Sequence, residues 1–262
     1  MPKSKHNRKG KNRGGDRRPV PRSGNNEGKV DYRTGADLKM GAVSPRGSEP
    51  HRQCPYLDRI AGLTGVFTKD ECAKIIDNAL QNWPERESQI QRDQGGKIEQ
   101  NFAEDLDYRN TTLFVPPSSD DWLFSNVLGS INGFNEREDG YGFQIVGLAE
   151  PPNMMRYQAA DIDKHGKPGK YDWHVDVGPG AVPSMRKLSY SILLNPGEYE
   201  GGEFVSKIGR KDVAFESHRD ESVEDLTGTM ILFPSYILHR ISEVTKVTRY
   251  ALVGWAHGNS FI

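Results

Sequence analysis

The chain has 262 residues, with 35 Lys and Arg against 36 Asp and Glu for a formal net charge of −1. That length supports one domain with a tail, or two small ones, and exceeds what a disulfide-dependent scaffold needs; two cysteines, Cys54 and Cys72, make no such framework and point to a reducing, cytoplasmic setting. No run of 18 apolar residues occurs, and the first thirty residues carry charge where a secretion signal needs an apolar stretch, so neither a membrane span nor classical secretion is expected.

The near-zero charge conceals two unlike parts. Residues 1–22 carry nine Lys and Arg against the single Asp16, a charge of +8, which leaves −9 on the rest. Through Pro50 the chain is mostly Gly, Pro, Arg, Lys, Ser and Asn. Such a segment buries too little apolar surface to offset roughly 1–2 kcal/mol of backbone entropy per ordered residue. Residues 1–50 are therefore read as a disordered basic tail and 51–262 as the folded domain. The tail suits a polyanion or nucleic-acid contact, a localisation signal or solubility alone, and composition leaves these open.

Thr68-Lys69-Asp70-Glu71 has the form of a capping box and predicts a helix start. Ile75, Ile76, Ala79, Leu80 and Trp83 follow at helical spacing up to Pro84. Residues 85–107 are polar, contain Gly95-Gly96 and read as a mobile loop. A strand is expected at 108–115, and a second helix from Asp120/Asp121 that turns Trp122, Leu123, Val127, Leu128 and Ile131 inward. From Tyr141 onward the period becomes strand-like, with runs near 143–148, 153–158, 171–177, 188–194, 202–207, 212–216, 229–233, 237–241 and 248–256. Many short, evenly spaced strands indicate a sandwich or jelly roll. No Gly-rich phosphate loop follows a strand, so nucleotide binding of that kind is not supported.

Among seven histidines, two stand in unusual company. His174 and Asp176 are two apart on an expected strand and so share a face. His239 follows after Leu232-Phe233-Pro234. Two imidazoles and one carboxylate are the facial triad of non-haem Fe(II), which leaves positions open for other ligands. A His-x-Asp pair alone is weak evidence; Arg249 strengthens it. On the apolar strand Tyr250, Ala251, Leu252, Val253 and Trp255, a buried guanidinium needs an anionic partner, and a metal-chelating dicarboxylate would supply one through the bidentate fork.

Ordered blocks of sequence then carry a resemblance. They are Met155-Arg156-Tyr157-Gln158, Trp173-His174-Val175-Asp176, Leu188 to Asn195, Tyr199-Glu200-Gly201-Gly202-Glu203-Phe204, Phe233-Pro234-Ser235 and Leu238-His239-Arg240, leading to Arg249 and Trp255. Across about residues 62–257 the chain resembles the iron- and 2-oxoglutarate-dependent dioxygenases of the prolyl-4-hydroxylase type, particularly the bacterial PKHD-type hydroxylases. The resemblance implies a mainly β, α+β fold: a double-stranded β-helix, or jelly roll, with flanking N-terminal helices. It implies that His174, Asp176 and His239 hold Fe(II), that Arg249 clamps the distal carboxylate of 2-oxoglutarate, and that Tyr157 and Trp255 line the cosubstrate pocket. Ascorbate is the expected reductant.

Where animal prolyl hydroxylases have a tyrosine before Leu-Asn, this chain has Leu193, and Ser189 or Ser191 is expected to substitute. Ala159–Lys170 reads as a rim-loop insertion. Gly201-Gly202 reads as a hairpin turn, Tyr190 as core or pocket, and His165, His218 and His257 as loop or surface. A peptide or protein, proline first, is the expected substrate. A nucleic-acid oxygenase and a non-catalytic jelly-roll binding module are the alternatives. The nucleic-acid branch of the superfamily usually has a second arginine a few residues after the first, and residues 250–257 contain none.

Overall fold

The computed structural model describes residues 31–34, 57–87, 90–91, 102–103, 105–118, 120–208, 211–216 and 225–259. Of the expected tail, Asp31–Thr34 are described, as strand β1 lying parallel to β2 (Ala61–Thr64); the other residues of 1–50 fall outside the described residues.

Helix α1 (Lys69–Asn82) begins as expected. The Thr68 hydroxyl accepts from the Glu71 amide and the Glu71 carboxylate accepts from the Thr68 amide, closing the capping box. It buries Cys72, Ile75 and Ala79, with Trp83 at its C-cap, while Leu80 turns outward. Helix α2 (Asp121–Asn135) is capped by the Asp120 carboxylate, which accepts from Leu123 N. Of the expected inward set Leu123, Val127 and Ile131 are buried, and Phe134 joins them in place of Trp122 and Leu128. Trp122 is 46% exposed and lies against the Phe67 ring, because one residue's step around a helix carries it off the buried stripe.

The expected loop 85–107 is partly sheet. β3 (Glu85–Glu87) pairs with β7 (Thr112–Phe114), and β4 (Ile90–Gln91) pairs with β5 (Phe102–Ala103). The expected strand 108–115 splits into β6 (Arg109–Asn110) and β7, which join different sheets. Residues 143–148 form no strand: Gly142 and Gly147 take positive φ, and only Gly147 bridges, to His257. The remaining strands are β8 (Asn153–Gln158), β9 (Lys170–His174), β10 (Arg186–Leu193), β11 (Glu200–Gly201), β12 (Phe204–Ile208), β13 (Lys211–Ala214), β14 (Met230–Pro234), β15 (His239–Ile241), β16 (Val244–Lys246) and β17 (Thr248–His257).

The described strands form an eight-stranded sheet, ordered β1-β2-β14-β10-β17-β8-β7-β3, a five-stranded sheet, ordered β13-β12-β15-β9-β6, and the two-stranded pairs β11-β16 and β4-β5. All described pairings are antiparallel except β1 with β2. The fold is a jelly roll. Alternation along the large sheet divides its residues between two cores. Leu188, Tyr190, Ile192, Met230, Leu232 and Leu252 pack with the helices. Tyr157, Leu193, Ile231, Phe233 and Val253 pack with Phe204 and Ile241 of the small sheet, inside the roll. Tyr190 is therefore core, and the odd-numbered face of β17 that carries Arg249 looks into the roll.

Candidate active site

His174 ends β9 and His239 opens β15, and the two residues are direct partners in the antiparallel register. The imidazole and carboxylate donor atoms of His174, Asp176 and His239 lie within 4.8 Å of one another. Each histidine Nε2 is 3.6 Å from an Asp176 oxygen, His174 from Oδ1 and His239 from Oδ2. Each Nδ1 is held by a main-chain carbonyl, 2.7 Å from Asp172 O for His174 and 2.9 Å from Ile237 O for His239. A carbonyl only accepts, so Nδ1 carries the proton and Nε2 presents its lone pair inward. Two lone pairs and a carboxylate converging this way suit a divalent metal.

The electrostatics agree. Burial, then the neighbouring His239, pushes the His174 imidazole down to about 3, so it is neutral and able to ligate at physiological pH. Burial alone would raise Asp176, but His239, His174 and the Ser189 hydroxyl outweigh it and keep the carboxyl below its usual range. The Ser189 and Ser235 hydroxyl oxygens are also 2.9 Å apart, and the Ser235 carbonyl accepts from Asp176 N at 2.9 Å.

Aromatic rings hold the imidazoles. Tyr171 stacks on His174 with centroids 3.5 Å apart, and Phe233 meets His239 at 4.6 Å. Strict alternation would put Tyr171 and His174 on opposite faces, yet two residues of β15 span three of β9, and this bulge turns both to one side. The Arg109 guanidinium caps the stack, 4.4 Å over Tyr171.

Arg249 is wholly buried, opposite Tyr157 in the register and 5.2 Å from its ring. Nε, Nη1 and Nη2 are buried without a hydrogen-bond acceptor. Burial works against the charge, but Tyr199, Tyr157 and Glu216 around it favour the protonated form more strongly. The Asn195 amide clasps the main chain on either side, donating to Thr248 O at 2.9 Å and accepting from Tyr250 N at 2.8 Å. Gly202 is no simple hairpin residue. At φ +64°, a Cβ on it would sit 2.9 Å from Arg249 Cδ and 2.8 Å from Val244 Cγ2, so glycine makes room for the arginine stem. A buried, unsatisfied guanidinium in such a cradle fits a carboxylate-bearing ligand.

The other expected residues divide. Ser191 is buried on the inner face, paired with Val253 and Ile231. Ser189 is engaged with Ser235 and Asp176. Trp255 lies six residues beyond Arg249, about 20 Å along the strand, and the Arg186 guanidinium covers its ring at 3.5 Å. His165 is exposed in a turn, and His218 lies outside the described residues. His257 is fully buried as the last residue of β17, contrary to the surface expectation. Tyr171, Asn195 and Glu216 have no short-range sequence signal, since register and a bulge bring them to the site.

A family model described as the 2OG-Fe(II) oxygenase superfamily matches residues 157–257, from Tyr157 through the triad and Arg249 to His257. The likeness to 2OG-Fe(II) oxygenases thus falls on the segment that carries the triad and Arg249. A PKHD-type hydroxylase of Hyphomonas neptunium is 34% identical over 105 residues, which are 38% of this chain and 43% of that protein. The chain thus matches under half the length of such curated relatives. Two solved structures share the fold. A prolyl hydroxylase from Trichoplax adhaerens, in complex with a peptide fragment, has a TM-score of 0.56 at 17% identity and covers 76% of this chain and 83% of that one. A Pseudomonas putida prolyl-4-hydroxylase has a TM-score of 0.52 at 12% identity, covering 77% and 93%.

Proposed function

We propose that the chain is an Fe(II)- and 2-oxoglutarate-dependent hydroxylase acting on a side chain of a peptide or protein, prolyl residues first. The observation that carries this reading is the pairing, inside one roll, of a His-Asp-His cluster with an arginine that is wholly buried and lacks an acceptor. His174, Asp176 and His239 would hold the iron, and Arg249 the far carboxylate of 2-oxoglutarate. Bound there, iron and cosubstrate supply the oxidising chemistry that couples decarboxylation to succinate and carbon dioxide with insertion of oxygen into a C–H bond.

The chain's own residues prepare the site. The carbonyls of Asp172 and Ile237 fix the imidazole tautomers. Phe204, Phe233 and Ile241 keep that end of the roll dry. Asn195 and Gly202 set the strand and the space from which Arg249 reaches inward.

The substrate class rests on other support. The segments expected to border the site are tied to each other, Lys164 to Glu87 and Lys167 to Asp107 at 2.6 Å. Their mixed charge suits a polar peptide better than a phosphate backbone. The peptide-bound structural neighbour supports the same class.

The test is an anaerobic titration with Fe(II) and 2-oxoglutarate, followed in air by succinate detection and a mass-spectrometric search of peptide libraries for an added oxygen. Asp176→Ala should abolish succinate formation and retain the far-ultraviolet circular dichroism. Iron content and turnover equal to wild type in that variant would remove the metal reading. Coupling to free amino acids or nucleic acid, and to no peptide, would remove the substrate class alone.

A further inference from the structure

Behind Asp176 lies a chain of partly buried polar contacts that coordination does not require. Arg186, at the start of β10, donates through Nη1 to the Asp176 carbonyl at 2.9 Å. Its Nε and Nη2 fork onto Glu150 at 2.7 and 2.5 Å. Glu150 Oε2 is in turn 3.0 Å from Nε2 of His257. The His257 tautomer is fixed, because Nδ1 accepts from Ala149 N at 3.1 Å, leaving the proton on Nε2 to be donated to Glu150. The Arg186 guanidinium carbon also lies over Trp255, 3.5 Å from the ring centre.

The burial makes these contacts consequential. Side-chain exposure falls from 23% at Glu150 to 15% at Arg186 and zero at His257, so the fork is a partly desolvated bidentate pair rather than a surface one. Burial would raise the Glu150 carboxyl, but His257 and Arg186 hold it below its usual range. The Asp176 amide is bonded to Ser235 O at 2.9 Å, and Arg186 holds its carbonyl. Both polar main-chain groups of a residue just beyond the end of β9 are thus tied to other elements, and its carboxylate has little freedom to swing from between the imidazoles.

We propose that Glu150, Arg186 and His257 form a positioning bracket that fixes the Asp176 main chain, and so the aim of its carboxylate between His174 and His239. The bracket joins the end of β17 to the metal cluster, and it works through Asp176 rather than by touching metal or cosubstrate. This inference rests on the reading of the cluster as a divalent-metal site. Outer partners of ligands typically contribute 10- to 100-fold to metal affinity.

The experiment titrates the full chain with Co(II) without oxygen, following the visible ligand-field absorption, alongside thermal melts. Wild type, Glu150→Gln, Arg186→Lys and Asp176→Ala are compared. Glu150→Gln keeps the shape of the carboxylate and removes its charge; Arg186→Lys keeps charge and cannot serve Glu150 and Asp176 together. Both should bind Co(II) at least tenfold more weakly and shift its absorption bands, at temperatures well below their melts. A purely structural role would lower the melting temperature and leave affinity and bands at wild-type values, and that result overturns the proposal. If one variant fails to fold, the other decides by the same criterion. A wild-type protein that binds Co(II) no better than Asp176→Ala would overturn the metal reading and the bracket with it, whereas wild-type binding lost in Asp176→Ala and unchanged in both bracket variants overturns the bracket alone.

Discussion

Arg249 is the residue at which charge and burial conflict most. A guanidinium wholly out of water and without an acceptor is costly unless an anion joins it. Arg249→Lys keeps the charge and loses the fork. The half-saturating 2-oxoglutarate concentration should rise at least tenfold, about 1.4 kcal/mol, measured by succinate formation; an unchanged value would assign the clamp elsewhere. Glu216 adds a pH term. Burial raises its carboxyl to about 7, with Arg249 and the Glu216 and Phe204 amides pulling down and Glu203 pushing up. A folded value above the unfolded one means that stability is full below about 4.5 and declines as pH rises to about 7. A dianion arriving at Arg249 should raise Glu216 further, so 2-oxoglutarate binding takes up protons and weakens as pH rises from 7 to 8. Glu216→Gln should flatten that dependence, and calorimetry in buffers of different ionisation heat would show the lost proton uptake.

At the scale of elements, the features legible in the sequence were those with local causes. The capping box at Thr68 and the cap at Asp120 are short-range hydrogen-bond patterns, and both helices start where they were expected. Strands with long runs of β-favouring residues between turn signals, such as β10 and β17, were equally legible. Elements set by distant partners were not: β3 exists because β7 lies beside it, and 143–148 lacks a strand because Gly142 and Gly147 break its path. The same division runs through the site. His174, Asp176, His239 and Arg249 could be named from spacing and ordered motifs, whereas Tyr171 reaches His174 only through a bulge, and Asn195 reaches the main chain on either side of Arg249 only across strands. Helix α1 packs on the outer core rather than inside the roll. Thr68→Ala should therefore cost about 1 kcal/mol and lower the melting temperature by roughly 2–4 °C, with the 2-oxoglutarate requirement unchanged. A change in that requirement would show that α1 and the roll are energetically coupled.

For the whole molecule, charge separates what packing does not explain. Residues 1–22 carry +8 and the remainder −9, so the net charge favours a polyanion contact on the first segment. A polyanion held there would release condensed counterions, and its affinity should fall steeply with salt, by a slope of roughly 0.9 per phosphate neutralised. With nine cations available, an engagement of about six would reduce affinity on the order of a thousandfold between 50 and 200 mM salt. Deleting residues 1–22 leaves β1, which begins at Asp31, intact. Any duplex binding by the full chain should be lost from the shortened chain in a fluorescence-anisotropy titration, while its melting temperature and 2-oxoglutarate consumption are kept. Duplex binding that survives the deletion with an unchanged salt slope would place the contact on the net-acidic remainder, and it would revive the nucleic-acid oxygenase as the better account of the substrate.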